Sequence, residues 1–186
     1  MANNGVVIRV AEGCAEDVNV LWDSVWDDIR GFADWANADP DESSNVGGLR
    51  AKAAIETAVT LCMFTDKRIT PDHELFYLAD GDTRGYWGDG VDVRTDLNET
   101  EMGSYLWLLE RAPLTIRGLP IARWAEVFAN DALATLIAQG VCVRIDVAAT
   151  AYPLEQRLNL NVALYGRDGS QIYNRNFDVL WQQVAR

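Results

Sequence analysis

The sequence predicts an α+β fold, with two main helices packed on a C-terminal antiparallel β-meander and an irregular N-terminal extension. Three observations lead there. Residues 49–64 and 119–139 place apolar side chains at helical spacing. After Gly140 the apolar period drops from near four to two. Asp168-Gly169 then supplies a hairpin signal between two alternating runs.

In residues 1–47, Val18, Trp22, Val25, Trp26, Ile29 and Ala33 fit a helix, while VVIRV and VNVLW suit short strands, and periodicity does not separate the two over runs this short. ADPDESSNVGG has the Asp, Ser, Asn and Gly content of a solvated loop. It sets the expected organisation: an acidic extension of mixed structure at 1–47, and an α+β domain at 48–186. LRAKAAIETAVTLCMF follows the Gly47-Gly48 break and is rich in helix formers, with Ile55, Val59, Cys62 and Met63 as its apolar stripe, distinct from Leu49, Ala53, Glu56, Thr60 and Phe64. The second helix carries Ile121, Trp124, Phe128, Ala132 and Leu136 on one face, and Gly140 stops it. Val141, Val143, Ile145 and Val147 begin the first strand of the meander. Leu158, Leu160, Val162 and Leu164 form the inner face of the second, and Tyr173, Phe177, Val179 and Trp181 that of the third.

Composition narrows the function. With 28 Asp plus Glu against 16 Lys plus Arg, the formal charge is -12, so nonspecific attraction to nucleic acid or anionic lipid is disfavoured. Protein partners are expected, with no nucleic acid, no membrane and no small-molecule substrate. Cys14, Cys62 and Cys142 are widely spaced, lie beside small or apolar residues and form no CxxC or Cys/His cluster; they read as buried free thiols. The start, MANNGVVIRVAEG, lacks the basic and apolar regions of a signal peptide, and no run approaches a membrane span. A reducing cytoplasm is the expected site of synthesis.

The segment DGDTRGYWGDGVD, residues 80–92, is the most unusual stretch. Asp80, Asp82 and Gly85 match the first, third and sixth positions of an EF-hand loop, but Arg84 stands at the fifth and Val91 at the twelfth, where a bidentate Glu is required. Neither GxxxxGK[ST] nor GxGxxG occurs, so no cofactor or metal is expected. His73 has no Ser or Cys nucleophile in a local motif, and acid pairs such as Glu110 with Asp131 or Glu99 with Glu101 carry little weight in so acidic a chain. No catalytic residue and no enzymatic activity are expected. Docking is one reading for Arg84, Tyr86, Trp87 and Asp89, because Tyr, Trp and Arg are enriched at interface centres. The other reading has Trp87 plugging the chain's own core.

FTDKRI, RGYWGD, GSYLWLLERAPLT, LIAQGV and LNLNVALYGRDG occur in this order between about Ile55 and Trp181. Together they resemble the bacteriophage Mu-type baseplate-wedge family, which is similar to the wedge and sheath-initiator proteins of larger contractile phages. The resemblance implies a structural subunit of the virion, at the junction of tail baseplate and sheath, assembled in the bacterial cytoplasm. It implies other wedge proteins, the tail sheath protein and tail tube or hub proteins as partners. Glu56, Asp66, Lys67 and Arg68 inherit an expected role in bonding neighbouring wedge subunits; an internal salt bridge closing the helix end is the alternative. The last strand, with Asn174, Asn176 and Asp178 facing outward, is expected to offer an open edge to sheath strands. The chain departs from the family in its longer, acidic first 47 residues and in Pro113. Because the related larger-phage proteins have carried a lysozyme label, a peptidoglycan-degrading tail enzyme is the alternative function.

Overall fold

The computed structural model describes residues 24–27, 29, 31–35, 54–89, 93 and 100–180. Cys14, Trp22, VVIRV, VNVLW, the 47/48 boundary, Leu49, Ala53, Val91, Glu99 and Trp181 lie outside the described residues.

The chain folds as expected into an α+β domain. Strands β5 (Arg144–Tyr152), β6 (Arg157–Tyr165) and β7 (Gln171–Leu180) form an antiparallel meander in the order β5-β6-β7. Helices α1 (Ala54–Phe64) and α2 (Ile121–Ala138) pack on its apolar face. Leu158, Leu160, Val162 and Leu164 of β6 are buried, as alternation requires of a central strand covered on one side. Helix α2 buries Ile121, Trp124, Ala125, Phe128, Ala129, Leu133 and Leu136, mostly at spacings of three and four, while Ala132 is only half-buried. It ends in a Schellman arrangement: the Val141 N–H donates to the Leu136 carbonyl (2.9 Å), and that of Gly140 (φ +76°) to Ile137 (3.0 Å).

Three details differ from the sequence reading. Helix α2 starts at 121, because Leu119–Pro120 (β4) pairs with Thr115–Ile116 (β3) through an Arg117-Gly118 turn with both φ values positive. Such two-residue turns match the twist of antiparallel strands. Strand β5 begins at 144, so Val141 and Val143 precede it and are exposed, and Cys142 between them is buried. On α1, Thr57 and Thr60 are buried along with Val59 and Met63, so this helix is covered over a wider arc than its apolar stripe.

The extra cover on α1 is a hairpin of β1 (Ser24–Asp27) and β2 (Phe32–Trp35). The helical reading of this segment therefore fails where it is described, and Gly31 (φ +70°) lies in the turn. The Ser24 N–H donates to Thr57 Oγ1 (2.9 Å), which satisfies a buried hydroxyl on α1. Trp26 packs against Phe64 of α1 (4.2 Å) and edge-on against Phe177 of β7 (5.6 Å), so the hairpin contributes to the same core as the meander. Arg175 of β7 closes this corner, pairing with Glu56 of α1 and donating to the Trp26 carbonyl (3.2 Å).

Candidate partner interface

Three of the sequence motifs converge on one platform beyond the end of α1. Residues 65–67 and Ser104 run side by side: the Ser104 N–H donates to the Thr65 carbonyl (2.9 Å) and the Lys67 N–H to that of Ser104 (3.0 Å). Gly103 permits this approach, since a Cβ there would lie 2.3 Å from the Thr65 oxygen. From the other side the Ile69 N–H donates to the Thr83 carbonyl (3.0 Å), and Gly85 (φ +116°) presses on Arg68, whose Cβ would be 2.7 Å from an added methyl. FTDKR thus lies between RGYWGD and GSYLW.

Side chains lock the arrangement. Trp107 Nε1 donates to the Lys67 carbonyl (3.0 Å) and the Tyr105 hydroxyl to that of Arg68 (3.2 Å). The Arg84 guanidinium lies 4.6 Å from the Trp107 ring and pairs with Asp66 (2.9 Å) and Asp82 (3.3 Å). Burial pulls the Arg84 pKa down, but the hydrogen bonds and charges of these carboxylates outweigh it and raise it above the ordinary value. Lys67 Nζ stands 5.7 Å from the Tyr105 ring. Arg84, Asp66 and Lys67 therefore brace the platform while staying half-buried, and Arg68 is exposed on its surface. Asp80, the other half of the partial EF-hand match, is exposed, whereas Asp82 is committed to Arg84. His73 accepts the Leu75 N–H at Nδ1 (3.1 Å) and packs on Tyr105 (4.7 Å), shaping a turn.

Trp87 stands out from this platform with 79% of its surface exposed, so it does not plug the core. Tyr86 packs beside it (5.3 Å between ring centroids) and is half-buried. Asp89 turns back inward, where Oδ1 accepts the Met102 N–H (3.0 Å). Behind the pair, between α1 and α2, is a cavity of about 340 Å³ lined mainly by apolar groups, including Ala58, Cys62, Met102 and Leu136, with Asp89 and Glu101 on its wall. Burial pushes the Cys62 thiol up to about 11, so it stays protonated at neutral pH.

The second surface is the free edge of the meander. The Ala149 N–H of β5 donates to Glu126 Oε1 of α2 (3.1 Å), so this N–H points away from β6. Amide direction alternates along a strand, hence 144, 146, 148, 150 and 152 make the bonds to β6. Their partners 157, 159, 161, 163 and 165 are thereby used, which leaves 158, 160, 162 and 164 of β6 to bond β7. Across the β6–β7 register these face 179, 177, 175 and 173. The N–H groups of Asn174, Asn176 and Asp178 consequently point to the free side of β7, and among the described residues no strand pairs there.

The outward side chains of that edge are tied to β6 by hydrogen bonds. Asn161 Nδ2 donates to Asn174 (3.0 Å) and Asn176 (2.9 Å), and Asp178 accepts from Asn159 (2.7 Å) and Arg157 (2.7 Å). The bond from Asn159, and then the bond and charge of Arg157, hold the Asp178 carboxyl below its usual range. Of the residues expected to meet partners, Glu56 is placed away from both surfaces, in its pair with Arg175. Sequence reading missed Arg157, Asn159 and Asn161, although their outward positions on an alternating strand were a usable signal. It also missed Glu126, whose partner lies on a different element.

Among the described residues no cluster of three His, Cys, Asp or Glu could hold a metal ion, and no helix is long and apolar enough to cross a membrane. A family model described as Phage protein GP46 matches residues 55–171, well over half of the chain and all of the platform and cavity. No curated protein and no solved structure matches the chain.

Proposed function

Because this chain belongs to the phage protein GP46 family, we propose that it is a structural subunit of a contractile tail baseplate, a wedge protein that starts the sheath by docking and not by catalysis. What carries this reading is the β7 edge, beside which no strand lies among the described residues and where the register directs three amide donors outward beneath a row of polar side chains. Such an edge accepts an extended segment as an added strand, with main-chain bonds giving affinity and alternate side chains giving register. Trp87 and Tyr86, on the platform, supply a rigid aromatic contact for a neighbouring wedge protein. The localisation proposed is the virion tail, after assembly in the bacterial cytoplasm.

The test is to assemble baseplates carrying Asn176→Pro and image them. Proline removes one outward N–H without breaking a main-chain bond to β6, and an Asn176→Ala control accounts for the lost side-chain bond from Asn161. Complete wedges lacking sheath are the expected result, whereas sheathed tails of normal length from a folded variant would move sheath docking elsewhere. Catalysis is tested separately by cell-wall turbidity. Glycoside hydrolysis needs one carboxyl held neutral in an apolar pocket and another across the scissile bond. Glu110 and Asp131 are both exposed, and among the described residues Asp89 and Glu101 are the carboxylates on the cavity wall. No clearing is expected; clearing that disappears in Asp89→Asn or Glu101→Gln would replace the docking reading with an enzymatic one.

A further inference from the structure

The meander has two edges, and the chain treats them differently. On β7 the outward amides of Asn174, Asn176 and Asp178 have no strand beside them among the described residues. On β5 the outward amides belong to Ile145, Val147, Ala149 and Ala151, and near the middle of the strand a helix side chain has taken one of them. Glu126 reaches from α2 so that Oε1 accepts the Ala149 N–H (3.1 Å) while Oε2 pairs with Arg123. Its side chain is only 17% exposed, an unusual position for a carboxylate unless both oxygens are engaged.

We propose that Glu126 is the residue that makes the sheet one-sided: it closes the β5 edge to strand addition, so that an incoming strand is directed to β7. The proposal deepens the docking reading and rests on it for its purpose. An added strand must present a carbonyl to each outward amide. At Ala149 that carbonyl would meet a carboxylate already in place, so docking there requires a charge-assisted bond to break and a partly buried negative charge to give up one of its two partners. On β7 the strand's own carboxylate, Asp178, is instead tied sideways to Arg157 and Asn159 on the outer face of the sheet, away from the edge plane.

The strand that would enter an opened β5 edge in the purified protein is that of a second copy. Antiparallel pairing of two β5 edges is self-complementary, and the exposed Val143 beside the strand, with Ile137 and Val141 at the end of α2, would be covered by it. Each copy carries a formal charge of -12, which opposes such pairing, so the measurement belongs in about 0.3 M salt, where surface repulsion is screened within several ångströms.

The experiment compares the intact chain with Glu126→Ala and Glu126→Gln by sedimentation over a range of concentrations, with backbone amide exchange at β5 as a second readout. In the unaltered chain the Ala149 amide should be protected at every concentration. In Glu126→Ala it should exchange freely when dilute and regain protection, together with Val147 and Ala151, as the protein self-associates about tenfold or more tightly than the unaltered chain. Glu126→Gln keeps an acceptor on the same stem and should stay as the unaltered chain does. Should the alanine variant fail to fold, Glu126→Met keeps the stem, drops the acceptor and takes its place. A folded variant without the acceptor that associates no more than the unaltered chain, or one whose new protection appears on β7 and not on β5, would overturn the proposal. Because purified protein alone is used, this outcome is independent of sheath attachment, on which the baseplate reading stands or falls.

Discussion

Two tryptophans on the same platform separate contact from support. Trp107 is buried, donates to the Lys67 carbonyl and carries Arg84 on its face, whereas Trp87 projects from the surface. Trp107→Ala should therefore cost about 3–5 kcal/mol, as core aromatic truncations do. Trp87→Ala should cost the isolated domain less than about 1.5 kcal/mol and, under the proposed docking role, weaken its assembly with wedge proteins. Chemical denaturation of both variants, alongside co-assembly with neighbouring baseplate proteins, checks the pair; a Trp87 variant as unstable as the Trp107 one would return Trp87 to the core. The sequence could not separate these roles, because both residues sit in Gly- or Ser-flanked stretches of aromatic character. What distinguishes them is a long-range contact: Arg84 finds Asp66 eighteen residues away, and that clamp covers Trp107 and leaves Trp87 outside.

At the scale of elements, legibility followed the length of the repeat. Helix α2 and strand β6 each present enough turns or alternations for one buried face to be read directly, and Gly140 and Asp168-Gly169 mark their limits. The β1–β2 hairpin was not legible. Four-residue strands give too few alternations, and their pairing is fixed by packing on α1, including the Ser24–Thr57 bond. The direction of the edge amides was equally hidden, since it depends on a cross-element bond from Ala149 to Glu126. With that direction known, proline scanning of β7 should alternate. Asn174→Pro and Asn176→Pro should leave a folded domain and remove docking, whereas Pro at Arg175 or Phe177 should unfold it by breaking a bond to β6. Phe177→Pro also forfeits a ring packed on Trp26 and Phe64. Melting temperatures across the four variants read the alternation, and equal loss at all four positions would contradict the derived register.

For the whole molecule, the excess of acidic groups sets how stability responds to pH. Between pH 7 and the sequence pI near 4.4, protonation relieves repulsion among groups that sum to a formal -12, so this term favours the folded state as pH falls. Asp178 acts in the opposite sense. Hydrogen bonds from Asn159 and Arg157 lower its pKa in the folded state below the ordinary 3.8, so it contributes stability that is present above 3.8 and lost as pH falls through its folded value. The two terms act in different windows, which makes them separable. The melting temperature should hold or rise slightly from pH 7 towards 4.4 and then fall below about pH 3.8, where Asp178 takes up a proton and its bonds to β6 fail. Asp178→Asn removes the titrating group at the same position, so it should lower the melting temperature at pH 7 and flatten the acid limb. Scanning calorimetry from pH 7 to 2.5 on both proteins is the check. If the two curves run parallel below pH 3.8, the loss of acid stability has its source in other carboxylates, and the Arg157–Asp178–Asn159 cluster serves to shape the edge without stabilising the domain.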